Sequence, residues 1–173
     1  MRLFFALVPD TASATAIGAW RDRQLPGQSR PVPLGNLHIT LAFLGEVNSH
    51  RLERLCHDAD VLAERSAQSI ITLHLDQLGY WPRPGVCWLG PSQWPERLDD
   101  LSTRLGAIGV AHGGKRSRGK YQPHITLLRS CREPPPAPLN APAFDLQFDS
   151  FSLFQSRQGK RGVRYEPLAD WSL

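Results

Sequence analysis

Leu37-His38-Ile39-Thr40-Leu41-Ala42-Phe43-Leu44 and His124-Ile125-Thr126-Leu127-Leu128 are two stretches of a 173-residue chain that share the triplet His-Ile-Thr, 86 residues apart. In each, polar His and Thr alternate with apolar neighbours, the period of two that marks a strand with one apolar and one polar face. His38 and Thr40 therefore project together, as do His124 and Thr126. Leu37, Ile39 and Leu41, like Ile125 and Leu127, face a packed interior. One such strand is an ordinary half-buried element. Two of them, half a chain apart, indicate two similar halves, each lending an imidazole and a hydroxyl to a shared site.

Working outward, Leu3 to Val8 is a compact apolar run that reads as a buried strand. Asp10 or Thr11 then caps a helix carrying Ala14, Ile17 and Trp20, which stops before Pro26-Gly27. Residues 28 to 36 read as a polar, proline-bearing loop, and Gly45 as the end of the first His-Ile-Thr strand. Asn48 or Ser49 opens a second helix with Leu52, Leu55, Cys56 and Leu62 at helical spacing. Ile70 to Leu78 reads as one strand and Gly85 to Leu89 as its hairpin partner. Pro95 starts a third helix striped by Leu98, Leu101, Leu105 and Ile108. Glycines and cations over 113 to 120 suggest a mobile loop, and five prolines make 133 to 142 an extended connection. Phe144 to Gln155 and Val163 to Leu173 read as the last two strands, either side of a basic turn near Gly159 and Gly162. Strands and helices mixed with hairpins argue an α+β fold with mainly antiparallel sheets. The expectation is a single bilobal domain over 1–173, with the site between the lobes.

Composition supports a globular chain: 41% of residues are apolar and 21% charged, and the mean hydropathy is −0.31. A disordered tail, a collagen and a membrane bundle are excluded. A domain of this size buries about 70% of its unfolded surface, so its core needs neither metal nor disulfide. Cys56, Cys87 and Cys131 are odd in number and widely spaced, which fits a reducing compartment. The first apolar run is too short for a signal peptide or a span, so a cytoplasmic protein is expected.

Charge is unequally divided. Residues 1–86 hold eight cations and eight acids, whereas residues 87–173 hold twelve and eight. The run Lys115, Arg116, Arg118, Lys120, Arg129 and Arg132 contains no acid, and Arg157, Lys160, Arg161 and Arg164 form a second group. Seventeen of the 20 cations are arginine, whose fork suits phosphate. A solvated surface explains such runs as readily as an anionic, phosphate-bearing ligand does.

Paired histidines have a specific chemical use. With an unperturbed pKa of about 6.5, one imidazole can be neutral and the other protonated near neutral pH. The neutral ring accepts a proton from water while the protonated one gives a proton to a leaving oxygen, a pairing suited to in-line displacement at phosphorus. The threonine hydroxyls can donate to the non-bridging oxygens. Arg129, five residues after His124, is placed by simple alternation on the opposite face, and only a bulge or the strand end would bring its guanidinium round. Phe43 occupies the matching position in the first half and either packs in the core or stacks on a nucleobase.

The two motifs, with Arg2–Leu7, Asn36–Gly45, Pro123–Arg129 and Tyr165–Trp171, resemble the 2H phosphoesterases, and within them the RNA 2′,3′-cyclic phosphodiesterases, also described as 2′-5′ RNA ligases. The resemblance spans nearly the whole chain. It implies a bilobal, pseudo-two-fold α+β fold whose two sheets flank a cleft. It further implies opening of a 2′,3′-cyclic phosphate to a 2′-phosphomonoester without metal or cofactor. By motif, His38 would be the proton donor to the leaving ribose oxygen and His124 the base that activates water. Thr40, Thr126 and Arg129 would hold the phosphate, with Phe43 and Tyr121 as candidate base-stacking residues. The expected partners are RNA or nucleotides with 2′,3′-cyclic phosphate ends, no membrane is implied, and a monomer is expected.

Other readings of the residues fare less well. A histidine-triad hydrolase needs further histidines where Thr40 and Thr126 stand. His50 and His57 lack the carboxylates that would complete a metal site, and His50, His57, His74 and His112 read as solvated or core-edge groups. There is no P-loop or dinucleotide fingerprint. A non-catalytic RNA-binding module would use the basic half with Tyr121, Trp81 and Trp88 as stacking platforms, though these rings also suit the packed interior. Such a module has no use for two titratable groups. Joining RNA ends through a 2′-5′ linkage would use the same residues in reverse.

Overall fold

A computed structural model describes residues 1–27, 29–65, 69–115, 119–159 and 162–173. The strands are β1 (Arg2–Leu7), β2 (Arg30–Pro31), β3 (Ile39–Glu46), β4 (Ile71–Leu75), β5 (Gln77–Trp81), β6 (Val86–Gly90), β7 (Ile125–Arg129), β8 (Phe144–Phe148), β9 (Ser150–Gly159) and β10 (Gly162–Ser172), and the helices are α1 (Thr11–Gln24), α2 (Leu52–Arg65) and α3 (Glu96–Ala111). The main sheet runs β10-β9-β1-β3-β7-β6-β5, with β2 beside β7, and β4 pairs with β8 in a separate ribbon. Every described pairing is antiparallel. The fold is α+β, as read from the sequence.

β1 is buried along Leu3–Leu7 because it lies between β9 and β3. Asp10 caps α1, its Oδ1 accepting from the Ser13 amide at 2.7 Å. Ala14, Ile17 and Trp20 turn inward, as do Leu98, Leu101 and Leu105 on α3, which packs against β3. Pro95 stands one residue before α3, at its cap. A 3-10 turn, Ser49–Arg51, intervenes between the Asn48 cap and α2.

Two long strands expected from the sequence are each divided. Ile70 to Leu78 breaks at Asp76, whose carboxylate accepts from the Ser92 amide at 2.7 Å and the Ser92 hydroxyl at 2.6 Å. Phe144 to Gln155 breaks at Asp149, whose carbonyl accepts from the Leu173 amide at 2.7 Å. At both breaks the chain passes from the small ribbon to the main sheet, and two polar residues in succession, Asp76-Gln77 and Asp149-Ser150, shift the alternation by one as the pairing partner changes. The hairpin partner of β6 is accordingly β5 alone. Gly45 does not end β3: at φ +71° it carries the strand on to Glu46. The expected loop 28–36 contains β2, which pairs Arg30 with Arg129 and Pro31 with Leu128, and a 3-10 turn at Leu34–Asn36.

Residues 116–118 of the expected basic loop, and Lys160 and Arg161 of the expected basic turn, lie outside the described residues. Residues 133–142 form no helix or strand, as five prolines require. No helix among the described residues is long and apolar enough to cross a membrane.

Candidate active site

The two His-Ile-Thr segments meet where β3 and β7 pair, Ile39 opposite Ile125. Both side chains are fully buried, as are Leu37, Leu41 and Leu127 to within 2%. The faces expected to be apolar are therefore apolar. His38 and His124 precede their strands by one residue, and each ring is fixed by the carbonyl two residues before it. The Nδ1 of His38 donates to the Asn36 carbonyl at 2.7 Å, and that of His124 donates to the Gln122 carbonyl at 2.8 Å. A carbonyl only accepts, so Nδ1 carries the proton and Nε2 is left as the free ring nitrogen on both histidines.

Aromatic rings hold each imidazole from the side. His38 lies 5.0 Å from Phe4 and 5.0 Å, edge-on, from Tyr165. His124 lies 4.6 Å, edge-on, from Trp81 and 6.1 Å from Trp88. Burial drives His38 down to about 4, against the pull of the Asn36 carbonyl and with the charges of His124 and Arg129 adding to the fall. Burial lowers His124 too, opposed by the Gln122 carbonyl and aided by Arg129. The ordinary imidazole value of about 6.5 therefore does not hold for either ring: burial, aided by a nearby guanidinium, favours the neutral form of each.

A pair of bulges decides what else reaches the site. Phe5 pairs with Ala42 and Ala6 with Thr40, which leaves Leu41 unpaired on β3. Cys87 pairs with Leu128 and Trp88 with Thr126, which leaves Leu127 unpaired on β7. Each extra residue shifts the alternation by one. Phe43 consequently faces the same side as Thr40, and Arg129 the same side as Thr126. A cleft of about 650 Å³ is lined by His38, Thr40, Phe43, Arg129 and Tyr165, among others. A second hollow of about 750 Å³ shares Thr40 and Phe43 with it and is lined by His124, Trp81, Tyr121 and Lys120.

Phe43 is 42% exposed, which removes it from the core, and the Arg2 guanidinium sits 5.1 Å over its ring. Tyr121 is held at the wall: its hydroxyl donates to the Thr40 carbonyl at 3.2 Å, and burial raises its phenol far above the ordinary range. Thr126 is half-buried opposite Trp88 and lines neither hollow. Phe4, Tyr165 and Arg30 are among the site-facing residues that the motifs did not disclose. Phe4 sits in an unbroken apolar run with nothing to mark one face as different. Trp81 and Trp88 serve as packing around His124.

The remaining histidines are engaged elsewhere or exposed. His74 pairs with Asp145 and His112 with Asp58, both at 2.7 Å. Among the described residues no three of His, Cys, Asp and Glu gather as a metal site would require.

The sequence profile of the family described as "2′-5′ RNA ligase superfamily" matches residues 8–141. The RNA 2′,3′-cyclic phosphodiesterase of Escherichia coli strain K12 is 38% identical, over 99% of this chain and 96% of that one. The RNA 2′,3′-cyclic phosphodiesterase of Thermus thermophilus is 28% identical, over 100% and 90%. The crystal structure of E. coli LigT complexed with 3′-AMP superposes with a TM-score of 0.87 at 37% identity, covering 99% of this chain and 97% of that chain.

Proposed function

The chain belongs to the 2′-5′ RNA ligase superfamily, and from that premise we propose that it hydrolyses RNA 2′,3′-cyclic phosphodiester ends to 2′-phosphomonoesters by two-histidine acid–base catalysis. The observation that carries the reading is the matched tethering of His38 and His124, each by Nδ1 to the second preceding carbonyl, on strands that meet at Ile39 and Ile125. Each ring thereby keeps its Nε2 clear of the backbone carbonyl that holds Nδ1.

The phosphate binds beside Arg129 with the Thr40 hydroxyl as a donor to a non-bridging oxygen, whereas Thr126, expected to share that role, lines neither hollow. Its negative charge raises both imidazoles from their lowered values, and one ring takes up a proton at Nε2. Water attacks phosphorus and gives its proton to His124 Nε2. The P–O3′ bond breaks in line, and His38 Nε2–H supplies the proton to O3′. The products are a 2′-phosphomonoester and a free 3′-hydroxyl. The two rings have then exchanged protonation states, and solvent restores them. Phe43 offers a stacking surface for the base, and the ligand class is a nucleotide or an RNA end.

The test uses an oligonucleotide ending in a 2′,3′-cyclic phosphate, with excess EDTA present. The expected product is a 2′-phosphate terminus, and His38→Ala or His124→Ala should abolish its formation without loss of secondary structure. A 3′-phosphate product, or full turnover in either variant, overturns the mechanism.

A further inference from the structure

Arg30 stands directly opposite Arg129 in the antiparallel pairing of β2 with β7. Both line the cleft that holds His38. Like charges placed opposite one another on a sheet repel. Among the described residues neither arginine has an acid within ion-pair distance, and the cleft's own acid, Glu46, is taken by the terminal amine of Met1 at 3.3 Å. Arg2, the other arginine in the cleft, lies over Phe43. Two guanidiniums are thus presented side by side with no counter-charge.

The segment bearing Arg30 is held firmly in place. The Val32 amide donates to the Leu127 carbonyl at 2.9 Å, which ties β2 to the bulged residue of β7. The buried Arg21 donates through Nη1 to the Val32 carbonyl at 2.6 Å. Ser29, immediately before Arg30, has φ 133° and its Oγ lies 3.2 Å from the Cys131 Sγ. Backbone strain of that kind persists where the surroundings enforce it. A surface loop has no need of such fixing, whereas a cation that must meet an anion at a set distance does.

The two arginines stand at different depths. Arg129 is half-buried and its charge is felt at both His38 and His124, whereas Arg30 is exposed at the rim and contributes to neither. We propose that Arg30 is the binding residue for a second phosphate of the substrate, the internucleotide phosphate on the 5′ side of the reacting nucleotide, while Arg129 takes the reacting phosphate. The site is then built for the end of an oligonucleotide and discriminates against a nucleoside 2′,3′-cyclic monophosphate. This rests on the function proposed above and specifies its substrate class.

Binding and turnover test it separately. Adenosine 2′,5′-bisphosphate carries a phosphate where the next internucleotide phosphate would be, and adenosine 2′-monophosphate lacks it. By calorimetry the wild-type protein should prefer the bisphosphate, and in Arg30→Gln that preference should fall at least tenfold, with Arg30→Lys intermediate. The ratio of kcat/KM for a dinucleotide cyclic end to that for the nucleoside cyclic phosphate should fall in parallel. Equal losses on both ligands would place Arg30 on the reacting phosphate, and unchanged ratios would place it on neither; either result overturns the proposal. A melting curve like that of wild type confirms that the variant is folded. If the bisphosphate preference depends on Arg30 but no cyclic end is hydrolysed, the second-phosphate site stands and the proposed reaction falls.

Discussion

Ile39 and Ile125, the central residues of the two His-Ile-Thr triplets, are antiparallel partners across the junction of β3 and β7. An antiparallel pair between equivalent residues is what a local two-fold axis produces, and the 86-residue offset recurs around it. It relates His38 to His124, the carbonyls of Asn36 and Gln122, the bulged Leu41 and Leu127, and Phe43 to Arg129. The scaffold repeats as far as these two bulges, whereas a second bulge on β3, at Leu44, has no counterpart on β7 and the side chains of the last pair differ. One half supplies an aromatic ring and the other a guanidinium.

The lowered imidazoles set the pH dependence of activity. A group whose pKa is depressed loses its proton as pH rises through the lowered value, so the form of the free protein with His38 protonated becomes scarcer from about pH 4 upward. The value of kcat/KM, which reports the free protein, should decline from pH 6 to pH 8. The profile of kcat should lie at higher pH, because bound phosphate raises the rings. A kcat/KM that is flat to pH 8 would contradict the acid role of His38.

Stability carries the same signature with its own sign. His38 titrates near 4 when folded and at about 6.5 when unfolded, so the unfolded chain binds the proton first as pH falls. The stabilisation is complete above pH 6.5 and is lost below it, by up to about 2 kcal/mol at pH 5, with His124 acting in the same direction. Thermal melts at pH 7 and pH 5 should differ by several degrees. His38→Gln should narrow that difference, and an unchanged difference would show that the ring is not held neutral by burial.

Arg129 reaches the cleft only because Leu127 is extra. Arg129→Ala should lower kcat/KM by about 10²–10³, the scale of losing a donor to a charged transition state. Arg129→Lys should recover part of it, since an ammonium keeps the charge and loses the fork. Steady-state kinetics decide, and an unchanged rate would separate this side chain from the reacting phosphate.

Phe43 is the counterpart of Arg129, and its ring has no place in the core. Phe43→Ala should raise KM five- to a hundredfold with a smaller effect on kcat, in line with about 1–3 kcal/mol for a stacked base. Phe43→Trp should retain binding. A variant that instead melts well below wild type would show that the ring serves packing.

The legible part of this molecule is the part that local pattern encodes. Alternation around His38 and His124 identifies both strands and their buried faces, and Asp10, Pro95 and the leucines of α3 mark the helices. What escapes depends on the partner strand. Nothing in the composition of Leu41 or Leu127 distinguishes a bulged residue from a paired one, so alternation alone gives Arg129 the wrong face and leaves Phe43 between two roles. At Asp76-Gln77 and Asp149-Ser150 two consecutive polar residues shift the alternation by one, which marks a break locally, but the change of sheet is visible only once Ser92 and Leu173 have come to meet them. The lowered imidazoles likewise follow from Phe4, Tyr165, Trp81 and Trp88 closing round them, contacts made across strands and remote in sequence.

The wall behind His124 depends on the absence of a side chain. Gly79 on β5 is the register partner of Trp88 on β6, and the Trp88 indole lies across the space that a Cβ at residue 79 would occupy. From there the indole meets Trp81 at 5.1 Å and His124 at 6.1 Å, and its Nε1 is buried without a hydrogen-bond partner among the described residues. Gly79→Ala should therefore cost about 1–3 kcal/mol by overpacking and push both tryptophans from the imidazole. The melting temperature and kcat should fall together, with a change in tryptophan fluorescence. Gly35→Ala is the control, because a Cβ there meets nothing within 4 Å and should leave all three readings near wild type. If Gly79→Ala melts like wild type and keeps its fluorescence, Trp88 can move aside at no cost and is not what positions His124.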